Sequence, residues 1–197
     1  MDPHTLAEGL AVVFNLAYVV LAIFQSVLCW LAGFLGAGLT LVVFLHARLY
    51  GATALQVVYM ALMVYGWHEW RHGGETGGEL NVSRTPTRWH LGLAAAGLAF
   101  AVGLGLFLKH ATDAALPLWD AATTSFSLVA QFMTTRKWIE SWLVWIAVDL
   151  VYVGMLVSQE LSLMAVLYVG YLVLAVVGYV KWRRSLREGQ AAGGGLT

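Results

Sequence analysis

The chain alternates long apolar runs with short polar breaks, and this pattern predicts seven membrane-spanning helices. A helix that crosses a ~30 Å hydrocarbon core needs about 20 predominantly apolar residues, and each run is about that long. The predicted fold class is therefore an all-α integral membrane protein. The predicted spans are residues 6–24, 28–47, 51–71, 88–109, 114–135, 138–157 and 160–183.

The polar breaks predict how these spans are oriented. The break at 72–87 is the one long loop, and the polar, then Gly/Ala-rich, tail 185–197 is predicted to be disordered and cytoplasmic. All eleven Lys and Arg except Arg48 and Lys109 fall on one face of the predicted topology. Because such residues concentrate in cytoplasmic loops, the N-terminus is predicted outside and the C-terminus in the cytoplasm.

An internal repeat joins the first three spans to the last three. A shift of 112 residues aligns them without a gap, and it superimposes three aromatic residues and one glycine on identical partners. Since three spans separate them, helices 1 and 5 run in the same direction. The prediction is a parallel 3+1+3 arrangement, in which the substrate site lies near the midplane between the halves. Its parts are repeat 6–71, the cytoplasmic loop and linker helix 72–109, and repeat 114–184.

Composition narrows the class of protein further. The chain is 60% hydrophobic, only 11% charged and formally neutral, which gives no indication of nucleic-acid binding. Its histidine pair, His68 and His72, lies at a span end beside the loop, and no lysine lies in mid-span. These placements argue against metal, haem and retinal sites, and no nucleophilic triad lies at depth. Neither a cofactor nor an enzymatic activity is therefore expected.

The strongest functional signal is a carboxylate inside a span. Asp149 lies about 16 Å along the helix from Trp138, near the middle of the membrane. A charge there costs about 2.5–3.5 kcal/mol on insertion scales, so it indicates a functional site. Trp142, Trp145 and Asp149 are spaced i, i+3, i+7 and therefore share one helix face. Two indoles beside an acceptor suit a small, flat, polar or cationic ligand.

Other polar side chains lie at similar depth. Helix 5 contributes Thr124 and Gln131, and helix 7 contributes Tyr168, whose repeat partner on helix 3 is Gln56. Polar side chains in membranes can simply join helices, and this is the simpler interpretation of a single Ser or Thr. Aligned polar and aromatic faces on several helices instead predict a cavity for one small ligand.

Several motifs resemble those of the PnuC nicotinamide riboside transporters. They are Gly66-Trp67-His68-Glu69-Trp70, Asp120 to Thr124 running on to Gln131, Trp142 to Trp145 with Asp149, and Tyr179-Val180-Lys181-Trp182-Arg183. The resemblance covers nearly the whole chain. One departure is that Cys29-Trp30-Leu31-Ala32-Gly33 lacks the proline that members often have there.

The resemblance implies a SWEET-like fold in the bacterial inner membrane and uptake of nicotinamide riboside by facilitated diffusion. It also implies a homotrimer surrounded by lipid and a cytoplasmic kinase that traps the substrate. Carried over by motif, the substrate-lining residues are Gln131, Trp142, Trp145, Asp149, Tyr168, Thr124, Gln56 and Tyr59.

Two alternatives remain open from the sequence. A carrier of the same fold could take thiamine or another vitamin or nucleoside, although only a cationic ring gains much from Asp149. The other alternative is a non-transporting membrane scaffold or receptor, in which Asp149 only pairs across the bundle.

Overall fold

Seven helices form the described part of the computed structural model, which comprises residues 3–46, 48, 50–74, 77–112 and 116–193. The number of helices agrees with the prediction. Five of the seven are long and apolar enough to span a membrane; the other two, α3 and α5, carry more polar residues. The helices are α1 Pro3–Ile23, α2 Leu28–His46, α3 Tyr50–His72, α4 Thr87–Ala111, α5 Pro117–Thr135, α6 Ser141–Ser158 and α7 Ser162–Gly193.

Most helix boundaries differ slightly from those predicted, and two differences have clear causes. α6 begins at Ser141 rather than at 138, because Trp138 forms a bridge with Ser83 and the Ile139 amide donates to the Ser83 carbonyl (3.0 Å). α7 continues past 183 to Gly193, and an Arg184–Glu188 ion pair spans one turn of this extension. Residues 185–193 are thus helical where a disordered tail was predicted; residues 47, 113–115 and 194–197 lie outside the described part.

The chain divides into two compact units. Unit 1 contains α1–α3 together with Thr135–Lys137, and unit 2 contains α4–α7. The predicted linker helix α4 is thus part of unit 2, where the buried Ser125 hydroxyl donates to the Gly97 carbonyl (2.6 Å). Gly97 and Gly105 lack a Cβ where α5 side chains approach α4, which allows close packing of these two helices.

The two three-helix sets, α1–α3 and α5–α7, have matching local backbone geometry at their helix connections. The described non-glycine residues with positive φ are Gln25 (57°), Arg48 (58°), Lys137 (52°) and Glu160 (60°). Gln25 matches Lys137, and Arg48 matches Glu160, at the same spacing of 112 residues that the sequence repeat predicts. Each of these residues follows a helix and reverses the chain direction. A left-handed conformation costs a non-glycine residue about 1–2 kcal/mol, so its occurrence at matched positions reflects a shared chain path.

A tryptophan pair lies in the same place in each unit. The rings of Trp30 and Trp70 meet edge to face at 5.2 Å, and those of Trp142 and Trp182 at 5.4 Å. In each unit a glycine of the last helix, Gly66 of α3 or Gly178 of α7, leaves room for the first ring of the pair. These four tryptophans are almost fully buried, so each pair belongs to the packed interior of its unit.

The connection between α5 and α6 is held by charged groups. In unit 1, Arg136 pairs with Glu69, and the Lys137 ammonium donates to the Leu80 carbonyl (2.7 Å) while lying 4.5 Å from the Trp70 ring centroid. Burial lowers the pKa of Lys137, and the nearby Glu79 carboxylate opposes that shift. The buried ammonium therefore has a hydrogen-bond acceptor and an aromatic face to replace lost hydration.

Candidate functional site

One face of α6 carries the candidate site. Apart from its ends, α6 is apolar except along the line of Trp142, Trp145 and Asp149, which the i, i+3, i+7 spacing places on one side. Asp149 is 6% exposed, and no described Lys or Arg forms an ion pair with it. A buried carboxylate without a cationic partner is costly, so this position suits a carboxylate whose partner is a ligand.

Two tyrosines of unit 2 lie within electrostatic range of Asp149. Tyr152 and Tyr171 lie close enough for their hydroxyls to interact electrostatically with its carboxylate. Tyr168 joins the two, since its ring centroid lies 4.6 Å from that of Tyr152 and 5.8 Å from that of Tyr171. A carboxylate among aromatic rings is the arrangement that binds organic cations, because it combines a negative charge with negative ring faces.

Sequence reasoning missed Tyr152 and did not place Tyr171 among the lining residues. The signal for Tyr152 was its spacing, since it follows Asp149 by three residues and Trp145 by seven on the same helix face.

Helix α5 supplies two of the predicted lining residues. Thr124 is half-buried, and its hydroxyl and that of Thr123 lie within reach of the Tyr152 hydroxyl, which brings α5 close to the aromatic group. Gln131 is 1% exposed, two turns further along α5. The structure thus brings Thr124 to the tyrosines around Asp149, while Gln131 is placed deep on the same helix.

The two tryptophans of α6 have different surroundings. Trp142 is 4% exposed because its ring packs on Gly178 and Trp182, so its main contacts are within the bundle. Its indole N–H has no hydrogen-bond partner among the described residues. Trp145 is only half-buried, and its indole N–H donates to the Thr134 hydroxyl (3.3 Å), which in turn donates to the Ala130 carbonyl (2.8 Å). Trp145 is therefore the more accessible ring and is held at one edge.

The two predicted residues of α3 belong to unit 1. Gln56 and Tyr59 are three residues apart on one helix face, and both are half-buried. Their membership of the same site stays a prediction.

An apolar cavity of about 410 Å³ lies between α5 and α6 and differs from the predicted site. Its α6 lining includes Val144, Ala147 and Val151, which lie about 200° around the helix from Trp142, Trp145 and Asp149 at 100° per residue. The other lining residues are Trp119, Ala122, Thr123, Phe126, Leu143 and Val148. A cavity with almost no polar lining cannot orient a polar ligand, so α6 separates this groove from the candidate site.

Membrane-spanning helices that carry a buried carboxylate and neighbouring aromatic residues are typical of a transporter for a small molecule. Residues 5–184 match the family described as nicotinamide mononucleotide transporter, and the chain belongs to that family. The protein is thus a membrane transporter and not an enzyme, which removes the scaffold alternative.

Characterised relatives cover most of the chain. It is 25% identical to the nicotinamide riboside transporter PnuC of Escherichia coli, over 92% of this chain and 86% of that protein. It is 29% identical to the riboflavin/roseoflavin transporter RibM of Streptomyces davaonensis, over 83% of this chain and 78% of that one. A crystal structure of the vitamin B3 transporter PnuC has the same fold, with a TM-score of 0.73, 24% identity, and coverage of 95% and 84% of the two chains.

Proposed function

We propose that this chain transports nicotinamide riboside across the membrane and binds its pyridinium ring beside Asp149. The observation that carries the proposal is a buried carboxylate that lacks a described cationic partner and is flanked by Tyr152 and Tyr171. A pyridinium ring supplies the missing positive charge, and its flat shape suits stacking on Trp145. Both interactions strengthen when water is excluded.

The charge of the site favours the riboside over the mononucleotide named in the family description. A 5′-phosphate would bring a negative charge into a region where the central ionised group is already a carboxylate. The described basic residues nearest in the sequence, Arg136 and Lys137, lie in the α5–α6 connection and are occupied by Glu69 and Leu80. Like charges in a buried site cost several kcal/mol, so the phosphate is discriminated against.

The remaining features belong to the same proposal. We infer a parallel 3+1+3 arrangement, which the matched positive-φ residues and tryptophan pairs support. Transport is by facilitated diffusion, as the resemblance to the PnuC family implies. The N-terminus lies outside and the C-terminus in the cytoplasm of a bacterial inner membrane, where a kinase traps the substrate. The assembly is a homotrimer in lipid, and Gln131, Gln56 and Tyr59 complete the lining.

A thermal-unfolding titration of the purified protein tests the substrate. A ligand that binds the folded state stabilises it by RT ln(1 + [L]/Kd), or about 2.7 kcal/mol at 100 times Kd. We expect stabilisation by nicotinamide riboside and a much weaker response to nicotinamide mononucleotide and to riboflavin. Stabilisation by thiamine alone would keep the cation site and change the substrate, whereas a preference for uncharged riboflavin would contradict the role of Asp149.

A further inference from the structure

The extension of α7 carries an arginine stripe on its outer face. Val173, Val176 and Val180 are exposed along one side of the helix, with spacings of three and four residues. The same spacing continues to Arg183 and Arg187, so the apolar side of the helix becomes basic without a change of direction. Arg184 flanks this arginine stripe, and its side chain is 83% exposed.

The depth of the arginine stripe follows from contacts within unit 2. The apolar span of α6, Ser141–Ser158, has 18 residues and is therefore about 27 Å long, close to the ~30 Å hydrocarbon core. Its first turn carries Trp142, and the Trp142 ring meets Trp182 of α7 at 5.4 Å. Trp182 thus lies at the boundary of the hydrocarbon, and the arginines follow directly beyond it.

The size of the stripe matches the headgroup layer. Residue 187 lies about 7.5 Å beyond Trp182 along the helix, and each headgroup layer is about 5–7.5 Å thick. Because α7 is helical to Gly193, these side chains are held at that level facing outwards. Arg183 and Arg187 form no ion pair with a described residue, and Arg184 pairs only with the exposed Glu188 (2.9 Å).

We propose that the arginine stripe, Arg183, Arg184 and Arg187, binds the phosphate groups of anionic phospholipids in the leaflet where α7 leaves the membrane. Charge complementarity selects this partner, since basic residues beside a membrane gain about 1 kcal/mol each from an anionic surface. The neighbouring valines contact the acyl chains of the same lipids. This binding is independent of the transported substrate.

The test is a titration of the full-length, detergent-purified chain with phosphatidylglycerol or phosphatidylcholine, followed by thermal unfolding. We expect phosphatidylglycerol to stabilise the wild type more strongly. Each Arg→Gln substitution should raise, about fivefold, the phosphatidylglycerol concentration that gives half-maximal stabilisation. For the triple variant Arg183→Gln/Arg184→Gln/Arg187→Gln the increase should be about 100-fold. The charge-preserving triple Arg→Lys variant should keep most of the response, and Glu188→Gln should strengthen it.

Three results would overturn the proposal. One is a triple Arg→Gln variant with the wild-type preference for phosphatidylglycerol. Another is a wild-type preference that is equal in low and high salt, because contacts between exposed charges are screened by salt. The third is that inorganic phosphate, added in neutral lipid, stabilises the wild type as strongly as phosphatidylglycerol does, which would mean that the arginines form a site for soluble anions. Because the substituted side chains are exposed, these variants are expected to fold.

Discussion

The two three-helix sets, α1–α3 and α5–α7, share a backbone path but differ in what their interiors hold. Asp149 in the second set corresponds to Ala37 in the first, and Trp145 corresponds to Gly33. A Cβ on Gly33 would lie 2.7 Å from the Met63 sulfur and 2.9 Å from the Tyr18 ring, so neighbouring side chains already occupy that space. At these positions the first set is filled by packed side chains, whereas the second set carries a carboxylate and an indole.

This difference shows which features a repeat retains and which it can change. The chain reversals and the tryptophan pairs occur in both sets because they determine how the helices meet. The residues facing the candidate site differ because one charge is enough to bind one cationic ligand. A second carboxylate would add the cost of burying another charge without a partner.

The largest effect is expected from Asp149→Asn, which removes the charge without changing the side-chain shape. Binding of nicotinamide riboside should weaken by about 2–5 kcal/mol, because a buried charge on the ligand loses its partner. Uptake into cells or proteoliposomes and ligand-induced stabilisation measure this loss. Glu8→Gln is the matched control, since Glu8 is an exposed carboxylate of α1. Wild-type uptake by Asp149→Asn would remove the proposed chemical difference between the two helix sets.

A smaller effect tests what the two sets share. Gly66→Ala and Gly178→Ala should each lower the free energy of unfolding by about 1–3 kcal/mol, because a methyl group would collide with Trp30 or Trp142. Gly170→Ala is the control, since nothing lies within 4 Å of its added Cβ, and it should stabilise α7 by about 0.5–1 kcal/mol. Chemical denaturation measures all three variants. If only one of the variants Gly66→Ala and Gly178→Ala lost stability, the two tryptophan pairs would not be equivalent.

The smallest effect concerns the orientation of Trp145. Thr134→Val removes the hydroxyl that accepts from the indole N–H, and ligand binding should weaken by about 0.5–1.5 kcal/mol. Thr134→Ser keeps the hydroxyl and should bind like the wild type. Trp145→Ala gives the reference, since loss of stacking should cost about 1–3 kcal/mol. If Thr134→Val lowered stability without changing ligand affinity, the hydroxyl would serve folding alone.

Much of the fold could be predicted because apolar run length and residue spacing are local properties of a sequence. The seven helices, the depth of Asp149 and the shared face of Trp145 follow from them, and Tyr152 could have been found by the same spacing. The start of α6 could not, because it depends on Ser83, which is distant in the sequence. The packing of Trp142 on Gly178 is likewise a tertiary contact, so its near-complete burial was not visible from an apolar pattern.

Helix α6 also has an electrostatic consequence, because it carries Asp149 on one face and the apolar groove on the other. The body of the helix, about 10 Å thick, is a low-dielectric medium behind the Asp149 carboxylate. The field of this buried carboxylate is therefore screened less than the field of an exposed charge. Binding of the proposed substrate at Asp149 should then persist at an ionic strength that weakens the proposed lipid contacts of the exposed arginines of α7.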